Sequence, residues 1–181
     1  MACAETAVTT FTPDVLGQRL RVTDPRALVI RHARDTRGLL TNRTSPDAGS
    51  VSGKSDKGRN LRFAQDANQA EGTLAITSYD FANRPLTSGV GPATFATLDP
   101  DAAPTALETT NTNWLTVRAY DAKASTAKFP WSLFATQISG VAPLNVSGRL
   151  AEVASQSNGA WQLTLFSYDP DGRVATRWLF T

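Results

Sequence analysis

The stretch "FSYDPDGRVATRWLFT", from Phe166 to Thr181, contains the unit Tyr-Asp-Pro-Asp-Gly-Arg between two runs of strand-forming residues. Asp169, at the first turn position, can accept a hydrogen bond from the backbone two residues further on. Gly172, three residues later, can adopt a positive φ because it has no Cβ. This Asp-x-x-Gly pattern is typical of a short hairpin connection, so the sequence predicts a β-hairpin here.

Related units recur along the whole chain, as "DVLG", "DTRG", "DFAN", "NVSG" and, in weaker form, "SDKG" (Ser55 to Gly58) and "DAKA" (ending on Ala124). Their fourth positions fall at residues 17, 38, 58, 83, 124, 148 and 172, which are mostly 20–25 residues apart. The one step of 41 residues is about two periods, and Asp101 and Pro104 lie where a degraded unit is expected. Such a period is typical of a repeat array. The predicted structural turn residues are Asp14, Gly17, Asp35, Gly38, Asp80, Asn83, Asp121, Gly148, Asp169 and Gly172.

The segments between the turns have the length and composition of β-strands. In "WQLTLFSY", Trp161, Leu163 and Leu165 share one face, as expected from the two-residue period of a strand. Only "WSLFATQI" remains open between a helical turn and a strand, and "Asp24-Pro25" and "Asp99-Pro100" indicate a second set of turns. The sequence therefore predicts an all-β fold. After an N-terminal tail (1–10), residues 11–181 are expected to form a curved antiparallel sheet of about seven or eight consecutive hairpins.

The repeated Tyr-Asp-x-x-Gly-Arg unit resembles the YD repeat of RHS proteins, a family that includes polymorphic toxins, Tc toxin C subunits and teneurins. The resemblance is clearest in "SYDPDGRVATRW", "NVSGRLAEVASQSNGAWQLTLFSYD" and "PDVLGQRLRVTDPRALVIRHARDTRGLLTNRTSPDAG", and it extends from about Phe11 to Thr181. The array is degenerate, because Pro13 and Arg34 replace the tyrosine and Asn83 and Ala124 replace the glycine. The resemblance implies an open segment of a β-shell, with fewer repeats than a closed shell needs.

The same resemblance implies a structural role rather than catalysis. In the toxins of this family the shell encloses a C-terminal effector, so we expect a non-catalytic shell segment in a bacterial toxin or contact-dependent competition system. The implied partners are neighbouring repeats of a longer RHS chain or a toxin cargo, and no cofactor is implied. We expect the chain to be secreted or at the cell surface as part of a larger protein, although its N-terminus does not resemble a signal peptide. A fragment of a longer gene with no independent activity is a further interpretation.

The composition argues against several other functions, namely metal binding by histidines, nucleic-acid binding and membrane insertion. Cys3 is the only cysteine and His32 the only histidine, which excludes a disulfide framework within one chain and a multi-histidine metal site. The aspartate pairs, such as Asp169 and Asp171, are explained by turn chemistry. A net charge of +2 is too small to indicate nucleic acid, and no apolar run is long enough for a membrane helix, so neither partner is expected.

A surface module that binds carbohydrate or protein is the alternative hypothesis. Residues 19–43 contain seven arginines, and three tyrosines precede turn aspartates. Tyrosine rings can stack on sugars, although packing against a neighbouring hairpin is the more common use of such residues. The possible ligand face consists of Arg19, Arg21, Arg31, Tyr79, Tyr120 and Tyr168.

Overall fold

A computed structural model describes residues 7–103, 114–124 and 130–181 of the chain. These residues form twelve β-strands and two 3₁₀ helices, Phe95–Thr97 and Trp131–Phe134. The strands are β1 (Thr10–Pro13), β2 (Arg19–Thr23), β3 (Val29–Arg34), β4 (Leu40–Ser45), β5 (Gly49–Ser55), β6 (Leu61–Asp66), β7 (Thr73–Tyr79), β8 (Pro85–Pro92), β9 (Trp114–Tyr120), β10 (Leu150–Ser157), β11 (Ala160–Tyr168) and β12 (Val174–Phe180).

Every strand is hydrogen-bonded to the next one in the sequence, in a single sheet with the order β1 to β12. The pairing is antiparallel, and β1 and β12 form the two edges. The predicted fold class is therefore confirmed: the chain is an all-β, open antiparallel sheet of consecutive hairpins. The contacts divide the chain into two compact units, residues 1–75 with 92–103, and residues 76–91 with 104–181.

The second unit has a core on one face of β9, β10 and β11. In β11 the alternate residues Trp161, Leu163 and Leu165 are buried, as the two-residue period predicts. They pack with Val117 of β9 and Ala154 of β10. The segment "WSLFATQI" covers this face with Trp131, Phe134 and Ile138. It begins as the 3₁₀ helix Trp131–Phe134, so the helical alternative for this segment is correct.

In the first unit, residues 93–103 cover β5 and β6. The Lys54 ammonium donates hydrogen bonds to the carbonyl oxygens of Ala96 (3.1 Å) and Leu98 (2.7 Å). The buried Arg62 guanidinium donates to the carbonyls of Pro100 and Ala102. These bonds satisfy backbone groups of a segment that has no strand partner.

The degraded repeat expected at Asp101 and Pro104 is absent from the described residues. Residues 99–102 form a turn within the connection between β8 and β9, and β8 pairs directly with β9. Asp101 accepts a hydrogen bond from the backbone N–H of Lys57 (2.6 Å) instead of closing a hairpin. Pro104 lies outside the described residues. The step of 41 residues thus spans the connection between the paired strands β8 and β9, and the described part of this connection, residues 93–103, contains no hairpin.

Candidate functional site

The first hairpin turn, from Asp14 to Gln18, shows how these turns are closed. The Asp14 N–H donates to the Gln18 carbonyl (2.8 Å), and the Gly17 N–H donates to the Asp14 carbonyl (3.0 Å). The Asp14 carboxylate accepts the N–H groups of Leu16 (2.9 Å) and Gln18 (2.8 Å). Gly17 has a φ of +77°, where a Cβ is disfavoured. One aspartate and one left-handed residue therefore organise the whole turn.

The same backbone contacts recur at the turns that begin with Asp35, Asp80 and Asp169. In each of them the aspartate carboxylate accepts the N–H of the residue four positions later. The fourth positions are held by Gly38 (φ +79°), Asn83 (φ +60°) and Gly172 (φ +85°). The Asp24 turn between β2 and β3 has the same bonds, with Ala27 at φ +64°. This turn lies at the opposite ends of the strands from the Asp14 turn, so the same turn geometry occurs at both ends of the strands.

The turn between β5 and β6 lies one residue later than the sequence indicates. Asp56 takes the first position instead of Ser55, and Arg59, with φ +69°, takes the place predicted for Gly58. The Asp56 carboxylate accepts both the backbone N–H (2.8 Å) and the side-chain amide (3.0 Å) of Asn60. A serine hydroxyl has fewer acceptor sites, so the aspartate dictates the register even though an arginine must then adopt a positive φ.

Asp121 and Gly148 belong to one turn, although the sequence places them in two repeats. The Asp121 N–H donates to the Arg149 carbonyl (3.1 Å), and the Gly148 N–H donates to the Asp121 carboxylate (2.6 Å). Ala124, which was expected at the end of this turn, donates its N–H to Glu152 Oε2 (3.1 Å). The described residues thus contain six such hairpins, because Asp121 and Gly148 close one turn and not two.

Arginine and tyrosine side chains connect successive turns of the second unit. The Arg84 guanidinium lies 4.3 Å from the centroid of the Tyr120 ring, and the Arg149 guanidinium lies 5.5 Å from that of Tyr168. The Tyr120 hydroxyl donates to the carbonyl of Pro85 (3.2 Å). The Tyr168 hydroxyl donates to the carbonyl next to Arg149, that of Leu150, at 2.9 Å. The arginine that ends one turn therefore holds the tyrosine that begins the next.

Arg84 also joins two turn aspartates. It forms ion pairs with Asp80 and with Asp121, each at 2.6 Å. The hydrogen bonds that the Arg84 guanidinium donates to Asp121, and then to Asp80, raise its pKa further above its usual range. The hydrogen bond from Arg84, followed by that from the Gly148 N–H, lowers the pKa of the Asp121 carboxyl. These charges therefore stabilise the contact between one hairpin turn and the next.

The first unit makes a similar connection without tyrosine. The Arg37 guanidinium forms an ion pair with Asp35 (2.8 Å) in its own turn. It also donates to the carbonyls of Asp56 (2.7 Å) and Ser55 (3.0 Å) in the next turn at the same end of the strands. An arginine donor fork can make such bonds to backbone as well as to carboxylate, which explains how the contact persists in degenerate repeats.

The residues of the predicted ligand face are spread over both units. Arg21 and Arg31 lie opposite each other in the β2–β3 ladder, whereas Arg19 stacks on the ring of Phe11 (4.9 Å). Tyr79 is the last residue of β7. The positions of Tyr120 and Tyr168 against arginines agree with the packing role that tyrosines at such positions commonly have.

The remaining candidates are the single histidine, the possible metal ligands and the single cysteine. His32 lies opposite Arg43 in the β3–β4 ladder, and burial, followed by the charge of Arg43, lowers its pKa. Within the three described ranges, no group of three or more His, Cys, Asp or Glu side chains could hold a metal ion. Cys3 lies outside those ranges. No helix among the described residues is long and apolar enough to cross a membrane.

Comparison with solved structures finds one chain that shares the fold and others with a weaker likeness. The crystal structure of TcdB2-TccC3-TEV matches with a TM-score of 0.57 and 14% identity, over 96% of this chain and 7% of that chain. The crystal structure of TcdB2-TccC3 matches with a TM-score of 0.43 and 15% identity, over 99% of this chain and 10% of that one. A structure of the Photorhabdus luminescens Tc holotoxin pore gives 0.43 and 12%, over 97% and 10%. The chain thus spans a tenth or less of these chains' length.

Neither a protein-family model nor a curated protein matches the sequence. At 14% identity, the likeness to TcdB2-TccC3-TEV shows a shared fold. The TcdB2-TccC3-TEV chain therefore also contains the open antiparallel sheet of hairpins described above.

Glu152 is the residue that the sequence interpretation missed. It is fully buried in β10, and burial raises the pKa of its carboxyl to about 7. Its Oε1 atom has no hydrogen-bond partner among the described residues. The signal was available in "LAEVAS", because the alternation of a strand places Glu152 on the same face as Ala154.

Proposed function

We propose that this chain is a structural segment of an RHS-type β-shell associated with a bacterial toxin, and that it has no catalytic role. The observation that carries the proposal is the contact between successive turns, Arg84 with Tyr120 and Arg149 with Tyr168. Such contacts stabilise each hairpin against its neighbour, as in other repeat proteins. The shared fold with TcdB2-TccC3-TEV, over 96% of this chain, supports the same assignment.

In this role the chain acts by containment. Further hairpins of a longer chain extend the sheet at β1 and β12, and the resulting wall separates a toxin cargo from solvent and proteases. The turn residues then stabilise the wall and take no part in chemistry. The setting is a toxin or contact-dependent competition system, and the protein is secreted or held at the cell surface as part of a larger polypeptide.

The exposed edges give a direct test of this proposal. A strand edge with unpaired N–H and C=O groups associates with other strands unless it is protected, and a lysine is an effective protection. We expect the isolated chain to associate with increasing concentration in light scattering, and Thr176→Lys, in the edge strand β12, to suppress that association. Ser155→Lys adds the same charge at an exposed position of the interior strand β10 and should leave association unchanged.

A different result would favour a self-sufficient module. If the isolated chain is monomeric at all concentrations and unfolds in urea in one cooperative transition, it needs no neighbouring hairpins. The shell-segment proposal is then wrong, and a binding module becomes the better hypothesis.

A further inference from the structure

The sheet of the first unit carries an open apolar groove of about 240 Å³ on one face of β4, β5 and β6. Its walls are the side chains of Leu40, Val51 and Leu61, which are 40%, 37% and 45% exposed. Its floor is formed by Gly53 and Ala64, which lie opposite each other in the β5–β6 ladder. Two small residues therefore leave a gap among four large apolar ones, the fourth being Leu39.

Gly53 is not required by the backbone. It lies within β5, and it is not among the glycines with a positive φ. A glycine inside a strand weakens the strand and often indicates that a ligand or another backbone approaches closely. A Cβ at this position would lie 2.9 Å from Leu61 Cδ1, so any side chain here would occupy part of the groove lining and displace the Leu61 side chain. The absence of a side chain at Gly53 therefore keeps the groove open.

The surroundings of the groove are basic. Strands β1 to β5 contain no acidic residue, and residues 10–55 contain eight Arg or Lys against four Asp, a net charge of +4 in a chain whose total is +2. Arg43 lies opposite Val51 in the β4–β5 ladder, and therefore on the face that carries the groove. Arg34 lies opposite Leu40 in the β3–β4 ladder. The positive charge is thus concentrated beside the apolar walls.

Among the described residues, the Asp66 carboxylate on this face forms no ion pair with these arginines. Asp66 lies opposite Val51 in the β5–β6 ladder, but its carboxylate accepts the backbone N–H groups of Asn68 (2.8 Å) and Gln69 (3.0 Å). Among the described residues, Arg43 forms no ion pair, and Arg34 donates only to the carbonyl of Gly38 (2.9 Å). Arg43 is exposed, so its guanidinium is available to a carboxylate from another molecule.

We propose that this groove binds an extended acidic segment of another polypeptide. One aliphatic side chain of the segment enters the space between Leu40, Val51 and Leu61, and flanking carboxylates pair with Arg43 and Arg34. The groove is smaller than the roughly 300–1,000 Å³ of small-molecule pockets, so a single side chain suits it better than a cofactor. The site does not depend on the shell role, because it requires only the first unit.

Short labelled peptides test the proposal on the intact chain. The probe is fluorescein-labelled Asp-Glu-Leu-Glu-Asp, and its anisotropy is followed at about 50 and about 200 mM salt, where screening differs. The matched probes are Asp-Glu-Ser-Glu-Asp, which lacks the aliphatic side chain, and Lys-Lys-Leu-Lys-Lys, which reverses the charge. We expect the first peptide to bind at least about tenfold more tightly than either matched probe, because only it combines both features.

Two pairs of variants locate the binding site. Gly53→Ala fills the groove, whereas Ser50→Val enlarges a side chain at a position that pairs with Thr44, on the other face of β5. Arg43→Gln removes the proposed carboxylate partner, and Arg177→Gln removes an exposed arginine of β12. We expect Gly53→Ala and Arg43→Gln each to weaken binding about tenfold, and the two controls to change it less than about twofold. Equal binding of the serine probe, unchanged affinity in Gly53→Ala, or no binding of any acidic peptide would overturn the proposal.

Discussion

Asp121 and Gly148 close a hairpin turn together although they lie 27 positions apart, with the Gly148 N–H donating to the Asp121 carboxylate at 2.6 Å. In the other Asp-x-x-Gly turns the two residues are three positions apart. The turn therefore tolerates a long insertion, because its stability depends on hydrogen bonds and not on chain continuity. The cost of closing the longer loop grows only slowly with its length.

Replacing Asp121 should destabilise the turn that it closes with Gly148. Asp121→Ala removes the acceptor of the Gly148 N–H and the ion-pair partner of Arg84, so we expect a lower urea midpoint in circular dichroism and faster hydrogen exchange at Gly148. Asp171→Ala, which removes only an exposed pair with Arg173, is the matched control and should leave the midpoint nearly unchanged. Equal midpoints for the two variants would contradict the single split turn.

A side chain at Gly172 should disturb the contact between the last two turns. Gly172 has φ +85°, and a Cβ there would lie 2.5 Å from the Arg149 guanidinium that covers Tyr168. Gly159, with φ +80° and no atom within 4 Å of such a Cβ, provides the control. The backbone strain costs about 1–2 kcal/mol in both alanine variants. We expect Gly172→Ala to lose roughly a further 0.5–1 kcal/mol of unfolding free energy through the cation–π contact, and equal losses would show that this contact contributes nothing.

Ala27 is an alanine in a position that suits glycine. Its φ is +64° in the Asp24 turn, where an L-residue is disfavoured by about 1–2 kcal/mol and glycine loses part of that advantage through its greater freedom when unfolded. Ala27→Gly should therefore raise the free energy of unfolding by about 0.5–1 kcal/mol in urea titrations. Ala48→Gly, at an exposed turn position without a positive φ, should lower it. A decrease in both variants would mean that Ala27 is not strained.

The sequence predicted those features that depend on near neighbours. Asp14 and Gly17 act within five residues, so their turn can be recognised without knowledge of the rest of the chain. The pairing of Asp121 with Gly148 depends on where β9 and β10 meet, and it appeared in the sequence as two incomplete repeats. Asp56, and not Ser55, takes the first position of its turn because its carboxylate accepts hydrogen bonds from Asn60. A search for glycine at the fourth position does not include these bonds.

Glu152 should make the stability of the second unit depend on pH. It is fully buried, and it lies opposite Ala119 of β9 and Leu165 of β11, which are both uncharged. From the inserted segment, the Ala124 N–H donates to its carboxylate. The charged group that acts on it is Lys123, whose ammonium donates to the carbonyls of Ile138 and Val141. The carboxyl is therefore surrounded mainly by neutral groups.

The sign of this dependence follows from the raised pKa of Glu152, about 7 when folded against an ordinary value of 4.5. The folded state holds the proton more tightly, so the contribution of Glu152 to the free energy of unfolding is greatest below about pH 4.5 and falls as pH rises towards 7, by roughly 3 kcal/mol. Glu152→Gln keeps an acceptor for the Ala124 N–H but cannot ionise. Compared with the native chain, it should be similarly stable at pH 4.5 and more stable at pH 8 in urea titrations. Glu71→Gln, at an exposed position, should follow the native profile, and a Glu152→Gln profile parallel to the native one would show that this carboxyl ionises without cost.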